Sequence, residues 1–508
     1  MFIWLDWIAF ALFTAVVIGI SLYASRKEET GEDYFLAGRK LSWGIIGFSL
    51  IAANISTEHF VGMAGRGFEL GLAIASYEWM AAVTLVLVAF FFLPKFLRAG
   101  IYTMPEYLEY RYNTTARTVM TVFMMLAYVF VALATVLYSG ALAIEAIFGI
   151  STLKGIWIIG LLAGLYTIYG GLKAVAWSEM LQCIMLLLGG LLVTVLGFQA
   201  LGGVEVFFEQ AGDKLHTVLP WNHPEMPWVA VFIGGLWIPN LFYWGLNQFI
   251  TQRTLGARSL EEGQKGILLA ALLKLLIPFI IVFPGIMAAL LYPNQVAQPD
   301  QAYPILIREL VPIGIRGFML AALMGAVMST LAALLNSAAT IFTVDLYQRH
   351  WKRGQVPPRQ LVTVGRLATA AFMLFGCLWA PVVAQTGSVF QYIQMFWGFI
   401  SPGITAAFLF GLFSKRTPPE AAIGAMLLGI PVYGFLLWKL PHVAFLHHMM
   451  ITFLILSAFM LVVTKLKPLP EPPQLPDTPP ISMETNPRLR WLGAGIVALT
   501  ALLYFLFW

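Results

Sequence analysis

The fold of this chain is decided by the stretch SLIAANISTEHFVGMAGRG, which runs from Ser49 to Gly67. The stretch begins as an apolar helix and then meets a polar run, Asn54, Ser56, Thr57, Glu58 and His59. If it crosses a bilayer, an acid and an imidazole lie near the middle of the membrane, where ionisable groups are costly and mark functional sites. The stretch therefore predicts a membrane-spanning helix that is interrupted at a polar site.

A second apolar segment, Trp228 to Ile250, has the same kind of interruption. Within it, Pro239 and Asn240 stand in the middle of GGLWIPNLFYWGLNQ. Because proline lacks a backbone N–H and clashes with the preceding turn, we predict that the helix breaks there. Two interrupted apolar segments at corresponding places in two halves of a chain indicate the binding site of a secondary transporter.

The composition excludes a soluble domain. The 508 residues are 60% apolar and only 11% charged, so the bilayer must act as the solvent for much of the surface. The net charge of +5 is spread over short loops, which predicts no nucleic-acid partner. Cys183 and Cys377 both lie in apolar runs, so neither a disulfide framework nor a cysteine metal site is expected.

The apolar runs predict an all-α multi-pass membrane protein with about fourteen transmembrane helices. The predicted spans are 7–24, 43–66, 73–97, 116–148, 154–170, 176–200, 228–250, 264–291, 313–344, 362–385, 389–412, 419–438, 443–464 and 489–507. Lys and Arg concentrate in every second loop, and such loops face the cytoplasm. We therefore expect a plasma (inner) membrane protein with both termini outside.

The order of the spans predicts a single transmembrane transporter domain over residues 1–508. Residues 43–200 and 228–412 form two groups of five helices that enter the membrane from opposite sides, which is the pattern of an inverted repeat. The helix at 7–24 precedes them, and residues 419–507 add further helices. The Pro-rich stretch 465–487 predicts a flexible cytoplasmic linker.

Several polar residues within or beside apolar runs are candidates for a binding site. Lys274 lies in KGILLAALLKLLIPF; the alternative is a lysine that snorkels to the membrane surface. Glu78 lies in ASYEWMA, where the alternative is an interfacial carboxylate. For Glu58 and His59, the alternative is a polar pair whose hydrogen bonds are satisfied inside the helix bundle.

These residues form a set suited to a polyhydroxylated ligand. The amides, carboxylate, amine and imidazole match hydroxyl groups, while aromatic faces cover C–H surfaces. A site built on such hydrogen bonds rejects analogues that lack a hydroxyl. No cluster of arginines is present for an anionic substrate. The set comprises His59, Glu78, Asn240, Lys274 and Gln394 with Tyr243 and Trp244.

Ser329 and Thr330 are adjacent hydroxyls in the apolar run AALMGAVMSTLAALLNS. In the simplest alternative they hydrogen-bond to the preceding helical turn. In the functional interpretation, the two hydroxyls bind Na⁺ together with backbone carbonyl groups that are freed where the helix in the stretch Ser49 to Gly67 is interrupted. Na⁺ is a hard cation that requires several oxygen ligands.

Enzyme and channel functions fit the sequence less well. The chain contains no HExxH, no GxSxG and no Gly-rich phosphate loop, so we do not expect an enzyme. It also lacks a filter-like repeat of the kind that lines an ion channel.

Several motifs together resemble the sodium:solute symporter family, in its sodium/glucose cotransporter branch. The resemblance runs from about residue 30 to residue 440. It is carried by IAANIS, ASYEWM, YTIYGGLKA, NLFYWGLNQ, QRTL, LNSAATIFTVDLY and FQYIQ. It implies a LeuT-like 5+5 inverted repeat and the import of a hexose, glucose or galactose, by alternating access with Na⁺ as the coupling ion.

The resemblance also implies roles for individual residues. By position, the sodium site comprises the carbonyls of Ala52, Ile55 and Ala326 and the hydroxyls of Ser329 and Thr330. The sugar site comprises His59, Glu78, Asn240, Lys274 and Gln394, with Tyr243 and Trp244 at the inner gate and Tyr77 and Met63 at the outer gate. Related symporters carry myo-inositol or sialic acid, and a sugar sensor of the same fold is a further alternative. No obligate protein partner is expected.

Overall fold

A computed structural model describes residues 4–24, 36–55, 58–169, 172–352, 356–383, 389–477 and 479–508. Ser56, Thr57 and the centre of the YTIYGGLKA motif lie outside these residues.

The described part of the chain is nearly all helical. Its first half contains α1 (Trp4–Ala24), α2 (Trp43–Asn54), α3 (Ala64–Leu70), α4 (Ser76–Leu87), α5 (Leu93–Arg98), α6 (Met104–Arg111), α7 (Thr114–Leu126), α8 (Ala134–Phe148), α9 (Thr152–Tyr169), α10 (Leu172–Leu201) and α11 (Val204–Ala211). π-Helical segments lead into α3 and join α4 to α5 and α7 to α8; they are Glu58–Met63, Val88–Phe92 and Ala127–Leu133.

The second half contains α12 (Trp228–Phe232), α13 (Trp237–Leu241), α14 (Gln248–Leu255), α15 (Leu260–Leu291), α16 (Ala302–Leu310), α17 (Ile315–Thr340), α18 (Pro358–Val383), α19 (Val389–Phe413), α20 (Pro419–Lys439), α21 (Phe445–Leu466) and α22 (Leu489–Leu506). The π-helical segments Phe242–Leu246 and Ile341–Trp351 continue α13 and α17. Short 3₁₀ turns lie at Ala37–Arg39, Gly71–Ala75, Gly212–Leu215 and Pro299–Gln301.

Eleven helices in the described residues are long and apolar enough to cross a membrane. Three shorter apolar helices, Trp4–Phe13, Trp43–Asn54 and Thr152–Leu165, lie where the sequence predicts further spans. The multi-pass helical class is therefore confirmed, while the number fourteen and the division into two repeats stay predictions.

The first interrupted helix breaks close to the predicted place. α2 ends at Asn54, and Ile55 adopts an extended conformation with φ −76° and ψ 95°. The helix resumes at Glu58 in a π-helical turn that leads into α3. Because the last carbonyls of a helix have no intrahelical partner, this break presents backbone oxygens inside the protein.

The second interrupted helix breaks at a different place from the one that we predicted. Pro239 and Asn240 lie inside α13, and the breaks lie on either side of them. The helix is interrupted at residues 233–236, between α12 and α13. The chain leaves helical geometry again at Asn247, with φ −81° and ψ 120°. Pro239 is the third residue of α13, where a helix has no intrahelical acceptor for the N–H, so the missing donor costs nothing.

α15 occupies the centre of the bundle and packs against α2, α3, α4 and α10. Glycines allow these helices to approach closely. A Cβ on Gly285 would lie 2.1 Å from the Ala64 carbonyl oxygen, and one on Gly47 would lie 2.6 Å from Leu269 Cδ2. Small residues at helix contacts let backbones meet inside a membrane. This packing places Lys274, near the middle of α15, beside the break between α2 and α3.

The Pro-rich stretch after α21 has no helix in its described residues and makes hydrogen bonds to the helix bundle near both of its ends. The Leu469 N–H donates to the Arg416 carbonyl at 2.9 Å, and the Leu260 N–H donates to the Ser482 carbonyl at 2.9 Å. Thr485 donates to Gln264 on α15. Composition alone does not reveal these contacts, and the flexible linker between them stays a prediction.

Candidate functional site

A cavity of about 570 Å³ lies at the break between α2 and α3. This volume includes space that opens to solvent. All nine residues predicted to contact or gate a substrate line it. They are His59, Met63, Tyr77, Glu78, Asn240, Tyr243, Trp244, Lys274 and Gln394. The structure thus brings these residues together from α3, α4, α13, α15 and α19 with their adjoining turns, while their roles stay predictions.

The polar centre of the cavity is a buried ion pair between Lys274 and Glu78. Lys274 has 0% of its surface exposed and Glu78 has 3%. The Lys274 Nζ donates to Glu78 Oε2. Two alternatives from the sequence therefore do not hold. Lys274 is not a lysine that snorkels to the membrane surface, and Glu78 is not an interfacial carboxylate, because both side chains are buried and paired with each other. A buried charge pair of this kind requires further hydrogen bonds to satisfy both groups.

Two neighbours extend the ion pair. His59 Nε2 lies 3.3 Å from Glu78 Oε1, so His59 pairs with Glu78 and not, as the alternative had it, with Glu58 alone. Lys274 Nζ also donates to Asn54 Oδ1. Asn54 Nδ2 in turn donates to the Tyr243 hydroxyl at 3.2 Å. The network therefore connects the α2 break to the predicted inner-gate aromatic.

Asn54 lines the cavity, although the sequence analysis did not select it as a site residue. The available signal was its position as the last residue before the interruption. Phe390, Ile393 and Trp397 also line the cavity and were missed. Apolar residues on a transmembrane helix give no sequence signal that separates cavity-facing from lipid-facing positions.

Among the residues that the structure describes, two buried polar atoms that line the cavity lack a hydrogen-bond partner. They are His59 Nδ1 and Asn240 Nδ2. Buried polar groups in proteins are almost always paired, so such atoms mark a place where a ligand or water is accommodated. The amide nitrogen donates, and the imidazole nitrogen donates or accepts according to its tautomer. Both match hydroxyl groups.

Aromatic rings form the walls of the cavity. The Tyr77 ring meets Phe390 edge to face, with centroids 5.0 Å apart. The Lys274 ammonium lies 4.8 Å from the centre of the Trp244 ring, which adds a cation–π contact to the ion pair. Rings of this kind cover the apolar faces of a ligand whose edge is polar.

The residues predicted to hold Na⁺ lie on α17 and on or directly after α2, two helices that pack against each other. Ser329 Oγ and Thr330 Oγ1 are buried and have no hydrogen-bond partner in the described part of the chain. By contrast, the Thr340 hydroxyl on the same helix donates to the Asn336 carbonyl at 2.7 Å. The alternative that Ser329 and Thr330 bond back to the preceding turn is therefore wrong. Hydroxyl oxygens of this kind suit a hard monovalent cation, and Ala52, Ile55 and Ala326 are buried as well. That these five residues form one sodium site stays a prediction.

Comparison with known proteins places the chain among transporters. Residues 34–429 match the model of the sodium:solute symporter family. The chain is 41% identical to a sodium/glucose cotransporter of Vibrio parahaemolyticus, with 99% of this chain and 98% of that protein covered. It is 35% identical to sodium/myo-inositol cotransporter 2 of Sus scrofa, with 82% of this chain and 68% of that protein covered.

A solved structure shares the fold. It is the substrate-bound outward-open state of a Na⁺-coupled sialic acid symporter, with a TM-score of 0.83 and 23% identity. The superposition covers 94% of this chain and 100% of that one. At this identity the likeness concerns the architecture and not the substrate.

Proposed function

Because the chain belongs to the sodium:solute symporter family, we propose that it imports a hexose, glucose or galactose, together with Na⁺ by alternating access. The chain is a multi-pass, sodium-coupled solute symporter and not an enzyme. The proposal adds the solute, the site residues and the orientation, which is that of an inner-membrane protein with both termini outside.

The observation that carries the hexose proposal is the pair of unpartnered atoms beside the buried ion pair. Asn240 Nδ2 donates to a sugar hydroxyl, and His59 Nδ1 donates to or accepts from a second one. Lys274 and Glu78 bind further hydroxyls at the cost of loosening their mutual contact. A ligand with several adjacent hydroxyls is therefore the class that satisfies the cavity.

Sodium binding and sugar binding are coupled through the α2 break in this proposal. The residues assigned to Na⁺ include Ile55, directly after Asn54, and Asn54 belongs to the network that surrounds the sugar cavity. An ion that fixes the break also fixes Asn54, and through it Lys274 and Tyr243. Coupling of this kind is reciprocal, so the sugar also strengthens Na⁺ binding.

Myo-inositol is the second candidate solute. It offers the same array of hydroxyls, and a relative that is 35% identical is a sodium/myo-inositol cotransporter. Sialic acid fits less well because it carries a carboxylate. Among the described residues that line the cavity, the cation is Lys274, whose charge is already paired with Glu78.

The test is uptake of radiolabelled solute into proteoliposomes that contain the purified protein. We expect galactose or glucose to accumulate above the outside concentration only with an inward Na⁺ gradient. An inward K⁺ gradient is the matched control. Accumulation of myo-inositol but not hexose would select the second candidate, and binding without accumulation would indicate a sensor.

A further inference from the structure

A second, smaller cavity of about 300 Å³ adjoins the first. The residues that line both cavities, and so form the wall between them, are Asn54, Glu58, Tyr243, Ile393 and Trp397. The hydrogen bond from Asn54 to Tyr243 runs within this wall. The second cavity and the sugar cavity therefore share one wall.

The second cavity contacts the candidate sodium site. Thr330 lines it, and so does Leu334, one helical turn further along α17. Ser329 does not line it. An ion that leaves the two hydroxyls in the direction of Leu334 therefore enters this cavity.

Two buried polar atoms in the second cavity lack partners among the described residues. Thr330 Oγ1 has none, and its residue is 3% exposed. Asn247 Nδ2 has none either, although Asn247 Oδ1 accepts from the Phe249 N–H at 3.1 Å and from the Tyr128 hydroxyl. A cation with one water molecule satisfies both atoms. The ion takes a lone pair of the threonine hydroxyl, and its water accepts from the amide.

Glu58 supplies the charge that such an ion requires. It is the carboxylate among the described residues that line the second cavity. Carboxylate and hydroxyl oxygens are the ligands that hard cations prefer, and in a site of low dielectric constant a single negative charge stabilises a cation strongly.

We infer that this cavity is a binding station for Na⁺, with the Glu58 carboxylate as counter-charge and Thr330 shared with the neighbouring sodium site. The inference rests on the sodium site proposed above. It gives the ion a defined position beside the wall of the sugar cavity, so that Glu58 contacts the ion on one side and faces the sugar on the other.

The test is binding of radioactive Na⁺ to the purified protein in detergent, without sugar and at constant ionic strength. Glu58→Gln removes the charge and keeps the size of the side chain. We expect it to raise the half-saturating Na⁺ concentration about tenfold, as for loss of a charged contact. Glu420→Gln, at an exposed helix start, is the matched control and should bind as the wild type does.

A second variant, in which the negative charge is moved to another position in the same cavity, distinguishes loss of the charge from a folding defect. Asn247→Asp keeps the acceptor that Tyr128 and Phe249 use and places a carboxylate in the same cavity. The double variant Glu58→Gln with Asn247→Asp should therefore recover most of the lost Na⁺ affinity.

Two results would overturn the inference. One is wild-type Na⁺ binding by folded Glu58→Gln protein; the other is a change in sugar KM alone, which would assign Glu58 to the sugar site. Failure of the proposed function gives a different pattern, in which the wild type binds Na⁺ but accumulates neither hexose.

Discussion

Lys274 is the residue on which the site depends most. It is buried on α15, donates to both Glu78 and Asn54, and lies against the face of Trp244. One ammonium group thus holds together the α2 break, α4 and the aromatic segment after α13. Sequence reasoning selected Lys274 because a charged residue within an apolar run must find a partner.

Replacing Lys274 with alanine should reduce sugar uptake by about a hundredfold, because hydroxyl recognition is lost and Glu78 is left buried and unpaired. Initial rates in proteoliposomes measure the effect. Lys265→Ala, which removes a partly exposed lysine paired with Glu261 on the same helix, is the control.

A companion measurement separates recognition from stability. The double variant Lys274→Ala with Glu78→Ala should recover thermal stability, since no unpaired charge remains, but should not recover uptake. Uptake at the wild-type rate in the single variant would contradict the site assignment.

Replacing Thr330 with alanine should raise the Na⁺ concentration for half-maximal uptake about tenfold, because one oxygen ligand is lost. Thr340→Ala is the matched control, since that hydroxyl is committed to the Asn336 carbonyl on the same helix. Equal Na⁺ dependence of the two variants would remove Thr330 from the ion site.

At the scale of elements, the loop before α12 is attached to the end of α3. Arg66 of α3 pairs with Glu225 of the loop and with Glu69. Lys214 Nζ donates to the last carbonyls of α3, Phe68 at 2.9 Å and Glu69 at 3.1 Å. α3 follows directly on His59 and Met63, so the loop restrains the helix segment that carries part of the cavity.

Replacing Glu225 with glutamine should loosen this attachment. We expect amide hydrogen exchange over residues 216–227 to accelerate several-fold, as for loss of a partly buried ion pair. Glu205→Gln, on the exposed face of α11, is the control and should leave the loop unchanged. Unaltered exchange in Glu225→Gln would show that the Lys214 contacts suffice.

The turn that bears Asp300 gives the protein a pH-dependent stability. Burial, reinforced by nearby Glu69, raises the pKa of Asp300 to about 6 against the opposing effects of the Val389 N–H and Arg66. Because the folded protein holds this proton more tightly than the unfolded chain, the stabilisation is complete below about pH 4 and is lost as the pH rises through about 6.

Thermal unfolding midpoints measured in detergent between about pH 4 and pH 7 test this linkage. The wild type should lose stability across that range more steeply than Asp300→Asn, which cannot ionise. Asp213→Asn, at an exposed position, should follow the wild type. Identical profiles for Asp300→Asn and wild type would refute the assignment.

At the scale of the whole molecule, an ion-pair network joins the two predicted repeats. Arg117 of α7 lies 2.5 Å from Asp345 Oδ1, in the segment that follows α17, and 2.5 Å from Glu109 Oε2. Arg349 also pairs with Glu109. Burial alone raises the pKa of Glu109, but its hydrogen bonds to Arg117, Thr114 and Arg349 hold the pKa below its usual value. The network therefore fixes one end of the bundle.

Replacing Arg117 with alanine should destabilise the protein by about 3–5 kcal/mol, because Asp345 is fully buried and loses its counter-charge. The midpoint of thermal unfolding measures the effect. Arg359→Ala, at an exposed position on α18, is the control. The double variant Arg117→Ala with Asp345→Ala should regain much of the loss; if it does not, the network contributes more than this pair.

Long apolar runs and isolated polar residues were readable from the sequence. Hydropathy located most spans within a few residues, and motifs identified the family that the comparisons confirm. The breaks of the second segment lie before and after Pro239, because a proline in the first turn of a helix replaces an N–H that has no intrahelical acceptor, and the start of α13 depends on packing. The contacts of the Pro-rich stretch with the bundle could not be predicted because they leave no trace in its composition.

The sequence by itself determined that this is a membrane protein with an interrupted helix and a polyhydroxyl-compatible set of side chains. Those properties follow from the cost of placing polar groups in lipid, which acts residue by residue. Only the tertiary structure decided which polar groups meet: that Glu78 pairs with Lys274 and His59, that Asn54 joins them, and that Glu58 lies between two cavities. Such pairings depend on how helices distant in the chain approach one another, and close glycine contacts such as that of Gly285 set the approach.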